Sequence, residues 1–356
     1  MDKYIGFDMD SKKVVACVVE RGKKDMYQTI GPNIGSMRAF LRLQRNRKAD
    51  RLHLAFEIST QAGFIYDSLC DCVDSIAAAN PYKMTWIYRT DKKNDRIDAH
   101  KMAVLLSIGE LPTVHMPSVE VRQWRQTILH RKNLVAKVTQ VKNRIRASMK
   151  SRGYVKAGHG GSWWKKLNIA WMRQGIQDAC GQIWAMQIEQ LVDELEFLGE
   201  QLFKLTRKLD EYLKSKPGAT LLMTIPGVGP RTAEAVLAYT DDVERFGTSK
   251  QFCSYYGLTP KLDESGCCRR LGHISKHGPS VVRWVLCESS WKVIRYSRAM
   301  KTFYERVMAG QADRKKIAIV AVCRKLLAIM RAMLTTGEVF NESLVGRHCG
   351  KIDSAA

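Results

Sequence analysis

Alternation of apolar and polar positions dominates the first hundred residues. "KYIGFDM" and "KKVVACVVE" read as consecutive strands, and "DMYQTIG" as a third. "IGSMRAFLRLQR" then changes to helical spacing. "RLHLAFEIS" returns to a strand, and "GFIYDSLCDCV" to a helix. A further short strand is expected between Ser75 and Ile87, followed by a helix through Asp95 and Asp98. Three strands followed by alternating helix and strand predict a mixed α/β sheet with helices packed on it. "LPTVHMPSVE", with Pro112 and Pro117, reads as a linker, and Ser118 as the N-cap of a long helix ending near Ser151.

Beyond that point the period is helical. Leu134, Val138, Val141, Ile145 and Met149 form the apolar stripe of the long helix. "AGHGGSWWKK" interrupts, and a second long helix is expected from about Asp178 to Lys214. Its apolar positions, from Trp184, Ile188 and Leu191 through Leu195, Leu198, Leu202, Leu205 and Leu209 to Tyr212, alternate steps of four and three. Such a heptad seam predicts a coiled coil, with either the preceding helix or a second subunit as partner. From "KSKPGAT" onward the chain reads as mostly helical with glycine-rich turns. The expected domains are therefore 1–110, 111–216 and 217–340, with 341–356 as a tail.

Composition adds a partner. The 356 residues hold 58 Lys+Arg against 35 Asp+Glu, a net charge of +23. That excess points to a polyanion, and nucleic acid is the default. Between 118 and 156 only Glu120 opposes a run of cations that includes Arg122, Arg125, Arg131, Lys132, Lys142, Arg144, Arg146 and Lys150. A face with so few acids repels itself without a counter-anion, so these residues are candidate phosphate contacts. "IPGVGPRTAEAVLAY" places Gly227 and Gly229 in a tight turn opening a helix. Such a turn can aim backbone N–H groups at a phosphate, or simply start a helix with Pro230 at its first position. Ten scattered cysteines without C-x-x-C spacing argue against a structural zinc and for a reduced compartment. No signal peptide or transmembrane run is evident, so a cytoplasmic location is expected.

Four acids carry candidate chemistry. Asp8 ends the first strand and Glu57 a later one, while Asp95 and Asp98 share a helix face. Carboxylates at strand ends, joined by acids from a crossing helix, can hold a hard cation such as Mg²⁺. Acids in a first helical turn are also favoured by its dipole, and Asp91 or Asn94 could serve as a cap. Asp10 lies on the same strand face as Asp8. Farther on, "GLTPKLDESGCCRRLGHISKHGPSVVRW" surrounds Ser265 with Gly266, Arg269, Arg270, Lys276 and Arg283. That setting suits a serine attacking a phosphodiester, where cations offset charge on the phosphoryl oxygens. Ser275 is a competing serine.

In order and separation, "YIGFDMDSKK", "FEIS", "KNDRIDA" and "GLTPKLDESG…RLGHISKHG" resemble the DEDD transposases of the IS-one-ten insertion-sequence family, relatives of the pilin-gene invertase. The resemblance covers about residues 4 to 340. It implies a RuvC-like (RNase H-type) N-terminal domain, a helical coiled-coil middle and a mostly α C-terminal transposase domain. It further implies a tetrad of Asp8, Glu57, Asp95 and Asp98 holding Mg²⁺, and Ser265 as the catalytic serine. Many members carry Thr-Gly soon after the glutamate, whereas this chain has "EISTQAG". By the same resemblance, the partners are a bridge RNA that pairs with target and donor DNA, the DNA itself, and further copies of the chain in dimers and tetramers. The alternatives are a metal-dependent junction nuclease without a covalent intermediate and a non-enzymatic nucleic-acid scaffold.

Overall fold

A computed structural model describes residues 1–87, 94–178, 182–265 and 268–347. The chain divides into two compact units, Met1–Arg122 and Gln123–Ala356. The first contains β1 (Asp2–Met9), β2 (Val14–Glu20), β3 (Met26–Ile30), α1 (Ile34–Gln44), β4 (Arg51–Glu57), α2 (Ala62–Leu69), β5 (Ser75–Ala79), α3 (Pro81–Ile87), α4 (Asp95–Ser107) and β6 (Thr113–Val114). The strands form one sheet in the order β3-β2-β1-β4-β5-β6. β1 to β3 are antiparallel, β4 and β5 run parallel to β1, and β6 closes the edge antiparallel to β5. The stretch expected to be a linker thus supplies an edge strand.

Both faces of this sheet are covered, which explains the unbroken apolar run of β2. Ile5, Phe7, Val14, Ala16, Leu54 and Phe56 pack with Met37, Phe40 and Leu41 of α1 and Ile65 and Leu69 of α2. On the other face, Val15 and Cys17 meet Ala99 and Ala103, and Ala55 and Ala79 meet Met102 and Leu105. α4 is therefore the helix of the second face. Small residues on both sides let it lie close to the sheet.

The second unit begins within α5 (Val119–Lys150) and continues through α6 (Lys166–Asp178), α7 (Ile183–Lys214), α8 (Pro217–Met223), α9 (Pro230–Thr240), α10 (Ser249–Tyr255), the hairpin β7 (Pro260–Ser265) and β8 (Cys268–Ile274), α11 (Ser280–Tyr296), α12 (Arg298–Met308) and α13 (Lys315–Thr336). The heptad seam is satisfied within the chain. Ile188, Leu191, Leu195 and Leu198 of α7 are buried with Leu134, Val141, Ile145 and Met149 of α5. Of the two partners the periodicity allows, the chain uses its own basic helix. α6 occupies a stretch where the sequence pattern placed no helix, and it adds Met172 and Ile176 to that core. Farther along, Leu209 and Leu213 join Trp124 and Ile128 in a second core built mainly by α8 to α13. Among the described residues no helix is long and apolar enough to cross a membrane.

Candidate active site and nucleic-acid surface

The sheet register decides how the acids meet. Gly6 pairs with Ala55 and Phe7 with Phe56 across parallel β1 and β4. One residue farther on, Asp8 and Glu57 fall side by side at the carboxyl ends of these strands. Neighbouring strands lie about 4.8 Å apart. Asp8 also pairs with Val15, and Glu57 with Ala79. Val15 and Ala79 both belong to the α4 face, so both acids point toward that helix.

Gly6 sets how near the helix comes. A Cβ at this position would lie 2.0 Å from the Ala99 carbonyl oxygen and 3.0 Å from the Ala103 nitrogen. Only glycine allows α4 to cross β1 backbone to backbone. Asn94 caps the helix, its side chain accepting a hydrogen bond from Arg96 N at 3.0 Å. Asp95 and Asp98 follow in the first turn, on the flank nearest the strand ends. Asp91 lies outside the described residues.

Two lysines that the sequence reading passed over answer these acids. Lys13 Nζ sits 2.7 Å from Asp95, and Lys101 Nζ sits 3.4 Å from Asp98. The hydrogen bond and charge of Asp95 raise the Lys13 pKa, with smaller contributions from Asp10 and Asp8. Lys13 was legible in principle: two residues before Val15, it shares the face of Asp8. Among the described residues, no three His, Cys, Asp or Glu side chains form a group able to hold a metal ion. The four acids are thus brought to one end of one face, with ammonium groups engaged by two of them.

Ser265 ends β7 and pairs with Cys268 of β8. Gly266, along with the side chains of Ser265, Arg269 and Arg270, lies outside the described residues. The base of this hairpin is anchored firmly. Lys276, at a left-handed φ of 56°, donates its N–H to Gly257 O at 3.1 Å. A Cβ on Gly257 would lie 2.0 Å from His277 O. Arg283 Nη1 donates to the carbonyls of Tyr256, His277 and Gly278 at 3.0–3.1 Å. The structure therefore gives Arg283 a brace for the loop base, a role the sequence did not suggest. Ser275 Oγ is buried without a hydrogen-bond partner.

The turn glycines also separate. Gly227 has φ +93°, and a Cβ there would lie 2.7 Å from Val293 N, so its glycine serves packing against α11. Gly229 caps α9, and nothing lies within 4 Å of where its Cβ would be. Only the second glycine leaves its surface open to a ligand.

The cations of α5 divide in the same way. Arg122 pairs with Asp67 and donates to Pro117 O. Arg125 donates to Ala238 O and Tyr239 O at 2.7 and 3.2 Å. Arg131 donates to Thr206 at 3.0 Å, and burial lowers its pKa. These three guanidinium groups are largely engaged by the protein. Lys132 lies over the Trp284 ring, and Lys142 and Arg146 over Trp164. Arg144 and Lys150 are exposed.

Comparison with known proteins gives this arrangement a family. The DEDD transposase model of the IS110 type matches residues 5–152. The model described as "Transposase IS116/IS110/IS902 family" matches residues 219–305. A probable family 20 transposase of Pseudomonas aeruginosa is 26% identical over 68% of this chain and 73% of its own length. The transposase for insertion sequence element IS1111A of Coxiella burnetii is 25% identical over 71% of this chain and 70% of its own length. The pilin gene-inverting protein of Moraxella lacunata is 31% identical over 35% of this chain and 39% of its own length. With the first match spanning the sheet and its acids and the second spanning the turn and serine hairpin, the chain belongs to the IS116/IS110/IS902 family of transposases, enzymes that recombine DNA.

Proposed function

We propose that this transposase moves an insertion sequence by site-specific recombination, with Asp8, Glu57, Asp95 and Asp98 as the metal-binding acids of a RuvC-like domain and Ser265 as nucleophile. The observation that carries the reading is the sheet register, which sets Asp8 beside Glu57 under a helix whose first turn holds Asp95 and Asp98. An all-carboxylate donor set suits a hard divalent cation such as Mg²⁺, and a cation, the Lys13 ammonium, already sits at its mouth. Bound there, such an ion would polarise the scissile phosphodiester and offset the charge on its oxygens.

Ser265 Oγ then forms an ester with phosphorus while one bridging P–O bond breaks and the departing oxygen takes a proton. One phosphoester bond replaces another, so rejoining needs no outside energy. Arg269, Arg270 and Lys276 flank this serine in sequence and would neutralise the phosphoryl oxygens. Acids of one subunit work with the serine of another in a dimer or tetramer. A bridge RNA supplies base pairing to target and donor, and the exposed cations of α5 take its phosphates.

A DNA substrate carrying a nick beside the cleavage point, denatured after incubation, tests this directly. Wild type leaves a protein–DNA adduct that maps to Ser265, and Ser265→Ala leaves none. Adduct formation by the alanine variant would rule out Ser265, and efficient cleavage by it without any adduct would favour water as the nucleophile.

A further inference from the structure

The solvent side of α11 is unusual. The helix buries Val281, Val282, Val285, Leu286 and Val293. Opposite them, Trp284, Glu288, Trp291 and Arg295 recur at steps of four, three and four, which is one helical stripe. Trp284 and Trp291 are each 44% exposed. Indoles rank among the costliest surfaces to leave in water, and two on one stripe mark a contact surface.

Charge says what kind of contact. Lys132 Nζ lies 5.9 Å from the centre of the Trp284 ring. Beside that ring is a cavity of about 260 Å³, lined in part by Arg131, Lys132, Lys292 and the open face of Gly229. The acids lining it are Glu288 and the buried Glu234, and Arg231 engages Glu234 at 2.8 Å. A volume below that of drug-sized sites fits a fragment such as one nucleotide.

We propose that this face binds an unpaired stretch of DNA, Trp284 and Trp291 stacking on bases while Lys132, Lys292 and Arg295 neutralise the adjoining phosphates. The inference rests on the reading that the chain cuts and rejoins DNA. Bases in a duplex already stack on each other, so an indole face gains a partner only from an unpaired base. Cations bind either form. The stripe also follows directly on the serine hairpin in the chain, and Arg283 ties the base of that hairpin to the first turn of α11. A cut strand held here would be kept near the element that carries Ser265.

Binding of a labelled oligothymidine and of a duplex of equal length, by anisotropy with the full chain at one salt concentration, tests the proposal. Trp284→Ala and Trp291→Ala each weaken single-strand binding by about five- to thirtyfold, since a stacked base contributes roughly 1–2 kcal/mol. Trp→Phe at either position restores most of the affinity, and duplex binding stays within twofold. A second measurement needs no variant. Cys287 lies between the tryptophans, and a hydrogen bond from Cys323 lowers its thiol pKa to about 7. Oligothymidine should slow its alkylation at neutral pH, followed by mass spectrometry of the peptide. Equal losses on duplex and single strand, unprotected Cys287, or unchanged affinity with an altered mass in light scattering would each overturn the proposal. If wild type binds neither DNA, the recombinase reading falls with it; if it binds only the duplex, this inference alone fails.

Discussion

Replacing Gly6 with alanine perturbs the acid site without touching an acid. The added Cβ would lie 2.0 Å from Ala99 O, where ordinary contact begins near 3.4 Å, so α4 and β1 must part by about 1.4 Å. Little around them can yield, because Ala99, Ala103 and Cys17 are fully buried. Overpacking of this kind costs about 1–3 kcal/mol. With an m-value of about 2 kcal/mol/M, the urea midpoint of the sheet unit falls by roughly 0.5–1.5 M. The same movement carries Asp95 and Asp98 away from Asp8 and Glu57. A displacement of about 1 Å at reacting groups can lower the rate ~100-fold. Equilibrium urea unfolding and single-turnover DNA cleavage, on one preparation, read the two effects. If both matched wild type, α4 would not cross β1 at this separation, and the account of how the acids converge would be wrong.

Three other outcomes follow from the geometry. Burial raises the Glu234 carboxyl from 4.5 to about 7, against the opposing pull of Arg231 and Arg131. Between those values the folded chain holds a proton that the unfolded chain has lost. This stabilisation is complete below pH 4.5 and fades as pH rises through 7. It is of order 3 kcal/mol; the wild-type decline should be absent in Glu234→Gln, and an unchanged pH slope would refute it. Changing Lys142, Arg144 and Arg146 together to alanine should reduce the slope of log affinity against log salt by about 0.7–0.9 per residue. Arg122→Ala and Arg125→Ala should leave it unaltered, since those guanidinium groups are held by Asp67 and by the carbonyls of Ala238 and Tyr239; an equal reduction would show that their protein contacts yield to phosphate. Asn168 is fully buried and bonds Gly160 O, Ser162 O and His159 N. Its alanine variant should lose about 3 kcal/mol, at roughly 1 kcal/mol per bond, and cleave faster in the 157–165 loop under limited proteolysis; unchanged cleavage would mean the loop is held otherwise.

Much of the fold was legible because its signals are local. Short apolar runs, alternating in β1 and β4 and unbroken in β2, located these strands, and the helical stripe of α5 was read to within a residue of its end. What failed were features set by distant partners. β6 is two residues beside two prolines, and it is a strand only because β5 offers an open edge. α6 carries only a short stripe, Asn168, Met172 and Ile176 at steps of four, one of them polar, and it is completed by the core it shares with α5 and α7. At the site, the face that Lys13 shares with Asp8 could be read from the chain, but not that Lys13 answers Asp95 or that Lys101 answers Asp98. An ammonium on a long stem declares its partner only when strands and helix are assembled.

From the chain alone come the kinds of elements, their order, the basic surplus and the residue types able to handle phosphate. These depend on neighbours one turn or one pleat away, and on totals that folding does not change. Only the tertiary structure chose which cations face solvent and which serve the fold, and which glycine stays open. It alone turned the heptad seam inward. Each of those outcomes depends on what lies across the fold, and the sequence of one element carries no record of its distant neighbour.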